Sequence, residues 1–515
     1  MRKLSIVICL FVAVLSSCNN YLDVNKNPNA PTAVTPELVL PQALTATALV
    51  LNNYNTYGSQ LGGYAANAGG YGGFNENVSY AFTPNNYSGL WAVTYDNLED
   101  YQYIINQTAD VDADIYFNAA ARIMRVYDFQ LLVDTYNNVP YTDALKGADM
   151  LTPTYDKGED IYVGLAKELD DAITAIKTGQ AASVAPAAID NYDVLFGGDM
   201  TSWIQLANTI KLRLMVRANG KVTFSNTSFD PAGFLTTDAL INPGYTRDNN
   251  KQNPLWNTWG FAYNGSAGNK AWIPSTFILA FYDGTKLKDP GRGAKMYYQF
   301  PSTGTNQLGF ESTGIPKSPD GSFWYPGTER TGTVAGGSTG ALKGPDAGYP
   351  LFTAAESYFL QAEGALNNIL TGDAKALFES GITASFEYVY MLPNGSYSGT
   401  PDADAASYIA SNSTSRLVNF NLATTTEQKR EAIVTQKYIA LNMVNSHEGW
   451  NEYRRTGYPV VSGTAATTTF ASTVSQSTRP DRLPSRILYP ASEIQYNPSN
   501  VETADSFNSL IFWAK

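Results

Sequence analysis

Apolar residues return at helical spacing in two long blocks of this chain and lose that spacing between them. Over 113–136, Ile115, Ala119, Ile123, Tyr127 and Leu131 recur at every fourth position with Ala120 and Met124 beside them, which predicts one helix with one buried face. Trp203, Leu206, Ile210, Leu214 and Val216 make a comparable stripe over 200–218. Further helices are expected at about 41–52, 90–106 and 159–177, and again at 353–370, 374–390 and 424–455. The last opens on a capping-box pattern, Thr424 with Glu427, and sets Ile433, Gln436, Ala440 and Met443 on one side. Residues 54–74 hold seven glycines and five aromatics without helical period and read as a loop. From 220 to 350 the pattern dissolves, and 301–350 alone contains eleven glycines. A long irregular segment inside a compact protein is usually functional or mobile. Strand signals are weak throughout, so the expected class is all-α: a helical scaffold at about 36–219 and 351–515, with a loop-rich, ligand-facing insertion at about 220–350.

One helical pair fits a known repeat. With Tyr358 at position 4 of a 34-residue tetratricopeptide unit, Ala362 falls at 8, Ala365 at 11, Ala374 at 20, Phe378 at 24 and Gly381 at 27. Small residues let the two helices approach and large ones fill the gap. No 34-residue period runs through the whole chain.

The N-terminus adds an address. Met1-Arg2-Lys3 is a positive start, a short apolar run extends from Leu4 to Leu15, and Leu15-Ser16-Ser17-Cys18 reads as a lipobox. Residues 1–17 are thus expected to be a lipoprotein signal peptide and Cys18 the lipid-bearing residue, with 18–515 a single mature domain. The alternative is an ordinary secretory signal that contains a cysteine. Two or more acyl chains on one residue suffice for stable anchoring. Pro28, Pro31 and Pro36 make 19–35 an extended tether.

Composition then removes chemistry. The only other cysteine, Cys9, lies in the signal, and His447 is the sole histidine. Cysteine nucleophiles, disulfides and two-histidine metal sites are excluded from the mature chain. His447, one turn from Met443, reads as a buried or boundary histidine. Cleavage takes away Arg2 and Lys3 and no acid, moving the formal charge from −12 to −14; with no basic cluster among aromatics, nucleic acid is a poor partner. Asp110, Asp112 and Asp114 lack the glycine and glutamate of a calcium loop and are better explained as acids at a helix N-terminus. No cofactor and no metal is expected, although loop acids could hold a calcium ion.

Several stretches resemble one family in order along the chain. They are Tyr21-Leu22-Asp23-Val24-Asn25-Lys26-Asn27-Pro28-Asn29 after the cysteine and Leu287-Lys288-Asp289-Pro290-Gly291-Arg292, an Asp-Pro-Arg turn with an extra glycine. Then come Phe352-Thr353-Ala354-Ala355-Glu356-Ser357-Tyr358-Phe359-Leu360-Gln361-Ala362-Glu363 and Thr435-Gln436-Lys437-Tyr438-Ile439-Ala440-Leu441. Last are Glu448-Gly449-Trp450-Asn451-Glu452-Tyr453-Arg454-Arg455-Thr456-Gly457-Tyr458-Pro459 and Arg486-Ile487-Leu488-Tyr489-Pro490 with Glu493 and Asn497. The ordered set is similar to the SusD/RagB family of Bacteroidetes lipoproteins. The resemblance implies an α/α superhelix of tetratricopeptide-like pairs. It also implies a non-catalytic protein on the extracellular face of the outer membrane, which captures oligosaccharides or oligopeptides as a lid on a SusC-like TonB-dependent transporter. The acidic cluster that many such exported lipoproteins carry after the cysteine is reduced here to Asp23. The alternative is a surface glycoside hydrolase, since paired carboxylates need neither histidine nor cysteine.

Glycan binding asks for flat aromatic faces beside amides and carboxylates in an open concave site. Tyr71, Phe74, Asn75 and Asn77 close the glycine-rich loop, Trp256, Asn257, Trp259 and Trp272 open the insertion, and Phe323-Trp324-Tyr325 form a third group. The competing expectation is that these aromatics pack the insertion onto the helices. Trp91, Trp203 and Trp450 fall on predicted helices as core residues. Arg454 and Arg455 are expected to pair with Glu448, Glu452 or helix ends.

Overall fold

Pro36 stands in the first turn of a helix that runs without interruption to Leu61, α1 (Pro36–Leu61), with Leu40, Leu44, Ala48 and Leu51 on its buried side. The computed structural model describes residues 34–329 and 337–515; the lipobox, Cys18 and the tether to residue 33 lie outside the described residues. Nine further helices of eleven or more residues follow among the described residues: α2 (Gly89–Gln107), α3 (Ile115–Tyr136), α4 (Gly158–Ala181), α5 (Met200–Arg217), α6 (Ala354–Leu366), α7 (Ala374–Tyr390), α8 (Pro401–Ser411), α9 (Thr426–Ala440) and α10 (Ser446–Thr456). Each helix from α1 to α7 packs on the next in the series, α9 lies against α6, and α10 returns onto α1. The first and last long helices are therefore neighbours. Among the described residues no helix is long and apolar enough to cross a membrane.

The α6–α7 pair bears out the repeat geometry. An added Cβ on Gly381 would lie 2.7 Å from the Phe359 ring, so only glycine permits this approach. Phe359 meets Phe378 edge-on at 6.1 Å, and Ala362 is fully buried.

The segment between α5 and α6 is irregular but anchored. Two short antiparallel pairs hold its ends: β1 (Ala65–Asn67) on β3 (Trp272–Pro274), and β2 (Ala239–Ile241) on β4 (Tyr349–Phe352), the strand that leads into α6. Its middle is pinned by the turn at Asp289. That carboxylate caps the short helix Pro290–Met296 and holds Arg292 Nε at 2.6 Å, while the guanidinium lies between the rings of Phe386 and Tyr408 at 4.6 and 4.8 Å. The extra glycine, Gly291, has its use here: a Cβ would sit 2.8 Å from the Tyr390 hydroxyl.

Three expectations need correction. Residues 54–61 are helix, because Asn55 and Gly58 face the start of α10. The 424–455 helix is two helices with a break after Ala440. At the break Asn55 Nδ2 donates to the Met443 carbonyl (3.1 Å) and its Oδ1 accepts from Ser446 N–H (2.8 Å), which satisfies backbone groups that a continuous helix would have paired. The capping box is real but one residue later, Thr425 with Gln428. Helix α8 was not expected.

Candidate functional site

The glycine-rich loop after α1 is shaped by what its neighbours leave room for. Ala68 N–H donates to the Ala271 carbonyl and Gly69 N–H to that of Pro316, both at 2.8 Å, so the loop lies between the 270s and the 310s. A Cβ on Gly69 would stand 2.3 Å from the Ile315 carbonyl oxygen, whereas Gly72 and Gly73 have nothing within 4 Å. The tip is thus clamped at its base and open above. Tyr71 sits on it, 44% exposed, with Asn75 exposed at a positive φ of 42° and Phe74 half-buried edge-on to Trp272 at 5.2 Å. Beside the tip, Lys270 and Asp320 form an exposed ion pair at 2.6 Å. The Asp320 carboxylate strengthens the proton affinity of Lys270, with Tyr71 adding to it. Asn67, fixed in β1, ties the loop to a further aromatic. Its amide donates to the Phe310 carbonyl (3.2 Å), and the Phe310 ring is 50% exposed.

The tryptophans stand elsewhere. Trp256, Trp259 and Trp324 are at most 1% exposed, and Trp272 and Tyr325 are also buried. Trp259 meets Trp324 edge-on at 5.4 Å, and Trp256 meets Tyr325 at 5.3 Å. Asn253 caps the short helix that carries Trp256 and Trp259, and Asn52 of α1 donates to Thr258 (2.8 Å). These five residues therefore present no face to a ligand here, contrary to the first expectation for them. In a segment without helical period Trp259 and Trp324, and Trp256 and Tyr325, bury one another, forming a small aromatic core that seats the insertion on α1, while Trp272 packs on Phe74. Of the expected site residues the loop brings Tyr71, Phe74 and Asn75 together at the surface. Lys270 and Asp320 join Tyr71 there, and no sequence spacing pointed to them. A separate polar cleft of about 670 Å³, lined by Gln102, Arg125, Phe129, Tyr141, Lys146 and Asp149, lies between α2, α3 and the following loop; the sequence offered no signal for it.

A family model described as starch-binding and associating with the outer membrane matches residues 28–490. The chain belongs to the SusD-like family. Solved structures agree on the fold. A SusD homolog from Bacteroides fragilis is 21% identical, with 93% of this chain and 99% of that one covered at a TM-score of 0.65. A homolog from Bacteroides uniformis is 22% identical over 93% and 99% at 0.66, and a chitin-binding SusD homolog from Flavobacterium johnsoniae is 22% identical over 92% and 98% at 0.64. No curated protein matches the chain.

Three of the stretches that carry the family resemblance, around Glu356, Lys437 and Glu448, meet in one buried ionic lattice. Arg217 of α5 pairs with Asp134 of α3 and with Glu448 and Glu452 of α10, and Arg213 reaches Glu356 and Glu448 at 3.5 and 3.7 Å. Lys437 of α9 joins Glu356 to Glu452 (3.7 and 3.1 Å), and Arg455 joins Glu452 to Glu363 of α6 (2.6 Å to the latter). Burial by itself would raise Glu452, but Arg455, Lys437 and Arg217 overcome it and hold the carboxyl at about 2. Asp134, His447 and Glu448 bring ligand atoms within 4.8 Å of one another. The Arg217 guanidinium already bonds both carboxylates and supplies the positive charge a metal would bring. Arg455 pairs with acids as expected; Arg454 takes the other expected course and binds a helix end, donating to the Asp134 carbonyl in the last turn of α3, to the Ser485 carbonyl and to Asn451.

His447 is fully buried, and Asn451 Nδ2 donates to its Nε2 at 3.0 Å, which places the proton on Nδ1. Burial lowers its pKa from 6.5 to about 3. The unfolded chain takes up this proton near pH 6.5 and the folded chain does not, so stability contributed by neutral His447 is lost as pH falls from there toward 3. Because the histidine is single, its Cε1–H NMR signal reads this directly. It should stay still from about pH 8 to about pH 4; a midpoint near 6 would refute the buried neutral state.

Proposed function

We propose that this SusD-like chain is a non-catalytic surface lipoprotein, anchored through Cys18, that captures oligosaccharides at the Tyr71 loop. It then delivers them to a SusC-like TonB-dependent transporter in the outer membrane. The observation that carries the ligand half is Tyr71, raised on an open glycine tip beside the Lys270–Asp320 pair. An exposed ring gives a sugar a flat face, and the flanking ammonium, carboxylate and Asn75 amide offer donors and acceptors for hydroxyls. The family description as starch-binding supports a glycan over a peptide. The transporter half and the extracellular orientation rest on membership of the family. A glycosidase needs two carboxyls set across an open bond; the carboxylates gathered in the lattice are buried and held by arginine.

One preparation tests the reading. The soluble form starting after Cys18, titrated calorimetrically with panels of oligosaccharides and oligopeptides, should bind one glycan class. Tyr71→Ala should weaken that binding about ten-fold, ~1.4 kcal/mol, while Trp259→Phe should leave affinity intact and lower stability. Equal affinity of wild type and Tyr71→Ala would move the site off this loop, and shortened sugars in the cell would revive the hydrolase. The tagged full chain, extracted from outer membranes in mild detergent, should bring a large β-barrel with it; if it emerges alone, the delivery role fails.

A further inference from the structure

After α3 the chain doubles back on itself. Val139 and Asp156 exchange backbone hydrogen bonds at 3.0 and 3.3 Å, which closes 140–155 into a loop beside the packed α2–α3 pair. The loop is held in shape by its own acids. Asp156 accepts from the N–H groups of Tyr141 and Thr142, both at 2.9 Å, and from the Thr142 hydroxyl at 2.8 Å. Asp143 accepts from Thr154 (2.6 Å) and holds Lys146 (2.8 Å). Tyr95 of α2 ties down the base by donating to the Pro140 carbonyl at 2.7 Å. Between this loop and the two helices lies the polar cleft of about 670 Å³, well inside the size range of small-molecule sites.

The walls of the cleft are preset. Phe129 of α3 and Tyr141 meet edge-on at 4.8 Å and give it an aromatic side. Arg125 is fixed on Glu168 of α4 through Nε (3.0 Å) and Nη2, and its Nη1 donates to Gln102 of α2. Gln102 in turn donates to Asn106 at 2.7 Å. Glu168 is only 6% exposed, so this network is anchored in the interior and opens into the cleft. It is also unfinished. Arg125 has N–H groups left over after these three bonds, and the Tyr141 hydroxyl reaches Glu168 only at 3.5 Å, the outer limit of a hydrogen bond. Lys146 and Asp149 stand exposed on the loop side.

We infer that this cleft is a second carbohydrate site, which takes a short neutral oligosaccharide of about two or three rings. Sugar hydroxyls both donate and accept. The cleft holds donors (Arg125, Tyr141, Lys146), an acceptor (Asp149) and amides that do both (Gln102, Asn106) beside an aromatic edge. Charge sets the neutral class. Arg125 is already neutralised by Glu168 and Lys146 by Asp143, while Asp149 adds a negative charge, so an anion would find no positive surplus. The bonding groups are side chains and not a strand edge, which suits hydroxyls better than a peptide backbone. The site shares no residue with the Tyr71 loop and stands independently of it. A long glycan that reached both would be held more tightly than by either alone.

Calorimetric titration of the mature chain with maltotriose and with triacetylchitotriose tests this, with Tyr71→Ala used to remove the first site. Tyr71→Ala should still bind one of the two sugars. Adding Asn106→Ala and Asp149→Ala, both exposed positions on facing walls of the cleft, should weaken that residual binding about ten-fold or more. In crystals of Tyr71→Ala soaked with the same sugar, density for its rings is expected within about 3.5 Å of the Arg125 guanidinium. Loss of all binding in Tyr71→Ala alone, or equal residual affinity with and without the cleft substitutions, overturns the second site and leaves the first standing. Water alone in the soaked cleft does the same. If neither sugar binds the wild type, the cleft reading fails, whatever a wider panel shows for the Tyr71 loop. Should the triple variant fail to fold, the soaked Tyr71→Ala crystals still decide.

Discussion

Replacing Arg217 with leucine should destabilise the protein by about 3–5 kcal/mol, the cost of stranding buried charges whose partner has been removed. Arg217 is the hub: its guanidinium joins Asp134, Glu448 and Glu452, which come from α3 and α10 and are each at most 1% exposed. Leucine fills much of the space but leaves these carboxylates facing one another. Urea unfolding followed by far-UV circular dichroism would measure the loss as a lower midpoint. Glu448→Gln placed on top should recover part of it, since it takes away one of the stranded charges. A loss below about 1 kcal/mol would mean that water reaches the lattice and that the ion pairs hold little of the fold.

The second large effect is expected at Gly58, where α1 and α10 cross. A Cβ there would stand 2.2 Å from the backbone nitrogen of His447 and 2.3 Å from its Cα. Backbone cannot swing aside as a side chain can, so Gly58→Ala must push α10 away from α1 and disturb the Asn55 bonds that join the two helices. A destabilisation of about 3 kcal/mol or more is expected. Gly72→Ala is the control: it meets nothing within 4 Å and should change stability by less than about 0.5 kcal/mol. If the two variants unfold alike, the close crossing is not what makes Gly58 necessary.

The contrast between these glycines shows how far the chain could be read. Both lie in the stretch taken for a loop, and nothing local tells them apart. One is pressed against a helix 389 positions downstream, and the other stands in the open. The break after Ala440 has the same character. Its residues favour a helix locally, and Asn55 of α1 makes the interruption stable. The capping box slipped by one because Thr424 and Thr425, with Glu427 and Gln428, both satisfy the pattern. Only the backbone geometry that lets Gln428 Oε1 accept from the N–H groups of Thr424 and Thr425 selects the second.

At the candidate site Tyr71 was legible because flanking glycines cannot bury it. The tryptophans were misread because aromatic residues without a periodic face look exposed until partners from distant segments are known. Lys270, Asp320 and Phe310 carried no pattern at all. Lys270 comes beside Tyr71 because β1 pairs with β3, and Phe310 is tied to β1 because Asn67 binds its carbonyl.

What the sequence determined by itself is the helical scaffold around an irregular insertion, and, through the order of its motifs, membership of the SusD-like family. Helical period is a property of residues a few positions apart, and motif order is a property of the string. The tertiary structure alone decided which aromatics are core and which face outward, which arginines have acids, and which have none. Burial and charge pairing depend on what approaches from far along the chain, and no local spacing encodes that.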